Sequence, residues 1–167
     1  MIRLVSQVRA DRGSFGRLAV IMLMACGPSR PASTPTQPAT PTLTVLAAES
    51  DTFPKAAQAA TEFLYRARIK GFDAPKLSKV SMEVVQLSIE CVDASVTCYA
   101  AVGKELKVNQ LLFAQIEKGP KPKTVRVTVT LFDVDAAAAK HSAVKVFADE
   151  EDATYGIRDV VEEATRP

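Results

Sequence analysis

The chain is short of the residue types that most often carry enzyme and metal chemistry. It has 167 residues, with a single histidine, His141, and three cysteines. No G-x-S-x-G segment is present to supply a serine nucleophile, and one histidine without partner ligands does not make a zinc site. We therefore expect no catalytic residue, no metal and no cofactor, and we predict that the protein is not an enzyme. His141 follows an alanine run and is expected to lie in a solvated loop.

The acidic residues also lack the pattern that a calcium site needs. Asp133, Asp135 and the run from Asp149 to Asp152 do not provide the alternating oxygen ligands and the glycine of a calcium loop. The run instead predicts the start of a helix, because carboxylates there cap free N–H groups and are stabilised by the helix dipole.

A basic stripe for nucleic acid is missing as well. The whole chain has 21 basic and 19 acidic residues, of which five arginines and one aspartate lie in residues 1–42. The remainder therefore has 16 basic and 18 acidic residues, with no run of cations among aromatic side chains. We expect no nucleic-acid partner.

The amino-terminal segment is typical of a bacterial lipoprotein signal. Arginines precede an apolar run from Leu18 to Ala25, which is too short for a bilayer, since a crossing needs about 20 apolar residues. The run leads into Leu23-Met24-Ala25-Cys26, which resembles a lipobox apart from its methionine. We predict a lipoprotein-type signal peptide at residues 1–25 and a lipid on Cys26. The alternative is an ordinary secretory signal cut near Ala25, with Cys26 unmodified.

The residues after Cys26 predict location and reach. Gly27, not aspartate, follows the cysteine, and in Gram-negative lipoproteins that choice is typical of the outer membrane. We expect a protein of the cell envelope, anchored to the outer membrane by lipid and facing the periplasm. Residues 26–42 carry the lipidated cysteine and a Pro/Thr-rich linker, which at about 3.1 Å per residue reaches about 50 Å.

Residues 43–167 are predicted to form a single α/β domain. Strands are predicted at 43–48, 77–80, 109–117, 124–134 and 143–147, from alternating or continuous apolar runs. Helices are predicted at 55–70, with Gly71 as the terminator, at 97–107, and after Asp149. This order predicts an α/β (α+β) fold with a mixed sheet of about five strands, antiparallel in its C-terminal portion and flanked by three to four helices.

Residues 82–91 fit two structures. Val85, Leu87 and Ile89 alternate with polar residues, which favours a strand. Ser81 is a good N-cap and Glu83 would lie in the first turn, which favours a helix.

Two further groups of residues are candidate sites. Cys91 and Cys98 form an even pair in an exported domain, which favours a structural disulfide over two free buried thiols. Lys118, Lys121 and Lys123 lie around a Gly-Pro-Lys-Pro turn and form a basic hairpin tip. The tip is either a solvated turn or a surface contact for an anionic lipid or glycan.

Three segments follow one another in the chain: a cysteine pair from Cys91 to Cys98, a helix with Ala101 to Leu106, and an apolar strand from Leu111 to Ile116. This order resembles the domain of the TolB N-terminal and CsgG-like envelope lipoproteins, including those of myxobacterial type, and the resemblance covers most of residues 43–165. In that family the segment before the first cysteine is helical, so we predict a helix at 82–91.

The resemblance implies a structural, secretion or interaction role. We expect a non-enzymatic accessory or assembly component whose partners are the membrane, through the lipid, and other envelope proteins. The alternative is a periplasmic module that binds a small ligand or a glycan. An exposed apolar surface on a helix or a sheet edge would favour docking, whereas a deep pocket with convergent polar groups would favour ligand binding.

Overall fold

The computed structural model describes residues 41–72, 74–91 and 93–166. The predictions for the signal peptide, for Cys26 and for the linker up to residue 40 lie outside the described residues. These described residues form one compact unit. Across the described residues, no helix has both the length and the apolar character that a membrane crossing requires.

Five strands form one mixed sheet. They are β1 (Leu43–Ala47), β2 (Lys76–Ser81), β3 (Gln110–Lys118), β4 (Val125–Asp133) and β5 (Ala138–Phe147). Their spatial order is β2-β1-β3-β4-β5. The first strand runs parallel to both of its neighbours, and the last three strands are antiparallel to one another. The predicted fold class, with its antiparallel C-terminal portion, is confirmed.

Four helices cover the two faces of this sheet. They are α1 (Pro54–Arg66), α2 (Met82–Ser88), α3 (Val96–Glu105) and α4 (Glu150–Thr165). α1 and α4 share a large apolar cluster with one face, and α2 and α3 share a smaller cluster with the other. β3 contributes to both clusters, through Leu112 on one face and Phe113 on the other, as its continuous apolar run predicts. Each such fully buried side chain stabilises the fold by about 1.5–3 kcal/mol.

The ambiguous segment is a helix over Met82–Ser88. Ser81 is its N-cap, and the Ser81 hydroxyl accepts a hydrogen bond from the Val84 N–H at 3.3 Å. Val85 and Gln86 are both buried, although a strand would place these neighbours on opposite faces. Residues 89–91 lie beyond the helix, and Glu90 adopts a φ of 56°. The N-cap was therefore a better guide than the short alternation.

Two predicted features are wrong in detail. α1 ends at Arg66, four residues before the predicted end at residue 70, and Gly71 (φ 90°) lies in a turn closed by pairing of Ile69 with Phe72. β5 begins at Ala138, five residues before the predicted start, because it continues along β4 past an irregularity between Leu131 and Phe132. His141 therefore lies in a strand and not in a loop, although its side chain is exposed as expected.

Gly103 allows α3 to approach the end of β4. A Cβ atom at this position would lie 2.2 Å from a methyl carbon of Val134. Glycine inside a helix costs about 1 kcal/mol relative to alanine, and here the close contact between α3 and the sheet explains its presence.

Candidate functional site

Cys91 and Cys98 are brought together as predicted. Their Cα atoms are 5.8 Å apart, and the structure joins their sulfur atoms; this separation is usual for a disulfide. Cys98 lies in the first turn of α3, whose N-cap, Ser95, accepts a hydrogen bond from the Cys98 N–H at 3.3 Å. The buried Gln86 amide donates to the Asp93 carbonyl at 3.3 Å. The Cys91–Cys98 link therefore ties the chain after α2 to the start of α3, which is a structural role.

Lys118, Lys121 and Lys123 lie in or beside the turn between β3 and β4, with exposed side chains. Thr124 fixes the turn, since its hydroxyl donates to the Lys121 carbonyl at 2.7 Å and accepts from the Lys121 N–H at 3.1 Å. The backbone is thus held while the ammonium groups stay in solvent. Both interpretations of this tip, a solvated turn and a contact for an anionic surface, fit this geometry.

The end of the sheet opposite this turn is where β1, β2 and β3 begin. Residue Thr42, just before β1, is tied to Asn109, just before β3, by a hydrogen bond from the Thr42 N–H to the Asn109 side chain at 3.1 Å. The ends of α1, α3 and α4 lie here too, because residues that follow or close these helices line adjoining clefts. The chain therefore enters the domain at the end of the sheet where three helices also end.

Four adjoining clefts lie at this end of the sheet. The first, of about 560 Å³, lies between the ends of α1 and α4. The second, of about 660 Å³, follows residues 67–72 and shares Arg68 and Thr165 with the first. The third, of about 180 Å³, includes His141, and the fourth, of about 480 Å³, includes Thr42. Phe72 lines the second, third and fourth, so the clefts form one continuous surface.

Basic side chains dominate this surface, which we call the basic end. Eight lysines and arginines line the clefts, and all eight are exposed: Arg66, Arg68, Lys70, Lys76, Lys107, Lys140, Arg158 and Arg166. Among the described residues, Glu162 is the one acidic side chain that lines the clefts, and exposed Asp135 lies beside them, where it accepts a hydrogen bond from the Asn109 side chain at 2.9 Å. A surface lined by charges of one sign concentrates an attractive potential for counter-ions.

Only two of the eight cations are paired within the part of the chain that the structure describes. Arg158 contacts Glu162 at 2.7 Å, and this hydrogen bond raises the pKa of the Arg158 guanidinium. Arg66 lies 3.8 Å from Glu62. The other six make no ion pair with a described residue, so their charge is available to a partner.

The helix dipole explains only part of this concentration. Cations near a helix C terminus are favourable, which accounts for Arg66 and Arg166 at the ends of α1 and α4. Arg68, Lys70 and Lys107 lie outside the helices, and Lys76 and Lys140 lie in strands. Repulsion among these like charges opposes their clustering, so the fold itself gives no reason for it.

Sequence reasoning missed the basic end. Its residues are separated by up to a hundred positions in the chain, and the folded part as a whole is slightly acidic. The one local signal is the alternation Arg66-Ala67-Arg68-Ile69-Lys70, which falls within the helix predicted at residues 55–70. Across the described residues, no group of three or more metal-ligating side chains is found.

A second surface is apolar. β2 is an edge strand with exposed Leu77 (49%) and Val80 (40%), and the adjoining α2 exposes Val84 (45%) and Leu87 (66%). Val84 and Leu87 are three residues apart and therefore share one face of the helix. We call these four residues the β2–α2 apolar surface.

Comparisons with known proteins give a fold likeness and no family. No family model matches the chain, and no curated protein matches its sequence. The LpoB C-terminal domain from Salmonella enterica is similar in structure, with a TM-score of 0.44 and 8% identity, over 65% of this chain and 83% of that chain. A PelC dodecamer structure from Paraburkholderia phytofirmans has a TM-score of 0.43 and 16% identity, over 75% of this chain and 88% of that chain. Similarities this low carry no argument about function.

Proposed function

We propose that the protein is a non-enzymatic lipoprotein of the cell envelope, anchored through Cys26, whose folded domain docks onto other envelope proteins. The lipoprotein-type leader supports the anchor and the location. The observation that carries the docking proposal is the β2–α2 apolar surface, whose four large apolar side chains are exposed on an edge strand and on the helix that follows it, because exposed apolar surface of this kind marks interaction sites.

The shape of this surface suits a protein partner. β2 has one neighbouring strand, so its outer edge offers backbone groups as well as the Leu77 and Val80 side chains. Exposed Lys76 and Lys79 lie on the same strand, and lysines on an edge strand discourage pairing of identical chains. A different protein that presents an apolar surface with an acidic rim would satisfy both features.

Site-specific photocrosslinking in the native envelope tests this function. A crosslinker at Leu87 is expected to capture discrete protein partners, identified by mass spectrometry. Tyr155 on α4 is the matched control, since it is also apolar and even more exposed (77%) but lies outside the β2–α2 apolar surface. Equal capture at both positions, or no protein capture at Leu87, would contradict docking through this surface.

A further inference from the structure

We infer that the basic end binds the headgroup phosphates of anionic phospholipids, so that the domain rests with this end against the membrane that anchors it. The inference deepens the proposed function and rests on its membrane location. It concerns the orientation of the folded domain and not the lipid on Cys26.

The path of the chain supports this orientation. Pro41 and Thr42, through which the chain enters the domain, line the same cleft as Lys76 and Lys107. The linker toward Cys26 therefore leaves from the basic end. A linker with a reach of about 50 Å keeps this end at high effective concentration near the bilayer.

The opposite end has a different charge and a greater distance from the linker. Along β3 the hairpin tip lies eight residues from Gln110, which is about 27 Å at the rise of a strand. Acidic side chains accompany the hairpin lysines there, including the run Asp149 to Asp152 at the start of α4. An anionic surface would therefore attract the basic end and repel much of the opposite end.

The chemistry of the basic end favours an array of phosphates over a single enclosed ligand. Its cations are exposed on long side chains and are distributed over four clefts. Guanidinium groups bind phosphate oxygens in a bidentate manner, and lysines act as point charges. Single-stranded nucleic acid would also need exposed aromatic platforms, whereas Phe63 and Phe72 in these clefts are partly buried and packed against the core.

Membrane contact through this end also orients the docking surface. β2 begins at the basic end and extends away from it, so the outer edge of β2 would face sideways along the membrane. A partner on the same membrane could then reach the β2–α2 apolar surface without passing between the domain and the bilayer.

Vesicle binding by the mature chain, residues 26–167 with Cys26→Ser, tests the inference without any contribution from acyl chains. The probes are vesicles of phosphatidylethanolamine with phosphatidylglycerol, and neutral vesicles of phosphatidylcholine, in a co-sedimentation assay. Binding is expected only to the anionic vesicles and should fall as salt is raised. Each Lys or Arg at an anionic surface contributes about 1 kcal/mol, or about fivefold in the partition coefficient.

Two triple variants with the same change of net charge separate the two ends. Arg68→Gln, Lys70→Gln and Lys140→Gln together should lower partitioning about a hundredfold. Lys118→Gln, Lys121→Gln and Lys123→Gln together should change it less than about twofold, because these lysines lie well beyond a Debye length of about 10 Å at 0.1 M salt. Circular dichroism confirms that both variants are folded.

Four outcomes would overturn the inference. The first is absence of binding to anionic vesicles, and the second is an equal loss of vesicle binding in the two triple variants. The third is that inorganic phosphate, added at constant ionic strength, displaces the protein fully from the vesicles. The fourth is tighter binding to single-stranded DNA or to polygalacturonate than to the vesicles. Palmitate labelling of the wild-type chain and its Cys26→Ser variant tests the anchor separately. A failure of the anchor therefore does not mimic a failure of the basic end.

Discussion

The two ends of the domain use charge differently. At one end α1, α2, α3 and α4 begin, and each start is fixed by a specific bond. Ser81, Ser95 and Asp149 act as N-caps, with their side chains accepting hydrogen bonds from backbone N–H groups. At the basic end, α1 and α4 close through backbone bonds, from the Ala67 N–H to the Leu64 carbonyl and from the Arg166 N–H to the Glu163 carbonyl, and in α4 the Thr165 hydroxyl also donates to the Val161 carbonyl at 2.8 Å.

Glu150 shows how far this difference extends. Phe53, the N-cap of α1, makes no side-chain hydrogen bond. The Glu150 carboxylate of α4 accepts instead from the Lys55 N–H at 2.8 Å and the Ala56 N–H at 3.3 Å. One acidic residue thus caps a helix other than its own. Carboxylates at the helix starts therefore stabilise the fold, whereas six of the eight cations at the basic end make no ion pair with a described residue.

Removing the disulfide should give the largest loss of stability at the end where the helices start. Cys91→Ser with Cys98→Ser reopens the loop at the start of α3, and the chain-entropy cost for this short loop is about 2.5 kcal/mol. Urea unfolding of oxidised wild type and of the double variant measures this difference. Reduced wild type should match the variant, and an unchanged unfolding midpoint in both would show that the link does not constrain α3.

Removing the Glu150 carboxylate should have the next largest effect. Glu150→Ala leaves the Lys55 and Ala56 N–H groups without their acceptor, and loss of a helix cap costs about 1 kcal/mol. Thermal and urea unfolding measure the change. Glu151→Ala is the matched control, since the Glu151 side chain is exposed and makes no hydrogen bond or ion pair with a described residue. Equal destabilisation by both variants would make the effect one of general charge and not of capping.

The sequence predicted the elements that local physics determines. Period two over residues 125–131 and helical spacing from Ala153 to Ala164 correctly predict β4 and α4, and the apolar residues with these spacings are buried. Asp149 was correctly predicted to lie at a helix start. The helix that the family resemblance implies before Cys91 is also confirmed, over Met82–Ser88.

The features that sequence reasoning missed depend on tertiary position. The Glu150 cap joins residues more than ninety positions apart, and no local pattern announces it. The cations of the basic end come from α1, β2, β5, α4 and their connections. Neither the net charge of the chain nor any short run of residues therefore indicates that they lie together. Exposure of Val84 and Leu87 depends equally on where α2 lies on the sheet.

Stability of the basic-end variant is the smallest expected effect and the sharpest test of the comparison. Arg68→Gln, Lys70→Gln and Lys140→Gln remove three exposed cations that have no ion pair with a described residue. A single exposed substitution changes the free energy of unfolding by less than about 0.5 kcal/mol in either direction, and relief of repulsion among the remaining cations opposes any loss, so the triple variant should lose less stability than Glu150→Ala. Urea unfolding of the triple variant beside wild type, at low and moderate salt, measures the change. If the variant is destabilised by as much as Glu150→Ala, its cations serve the fold, and the contrast between a structural end and a binding end fails.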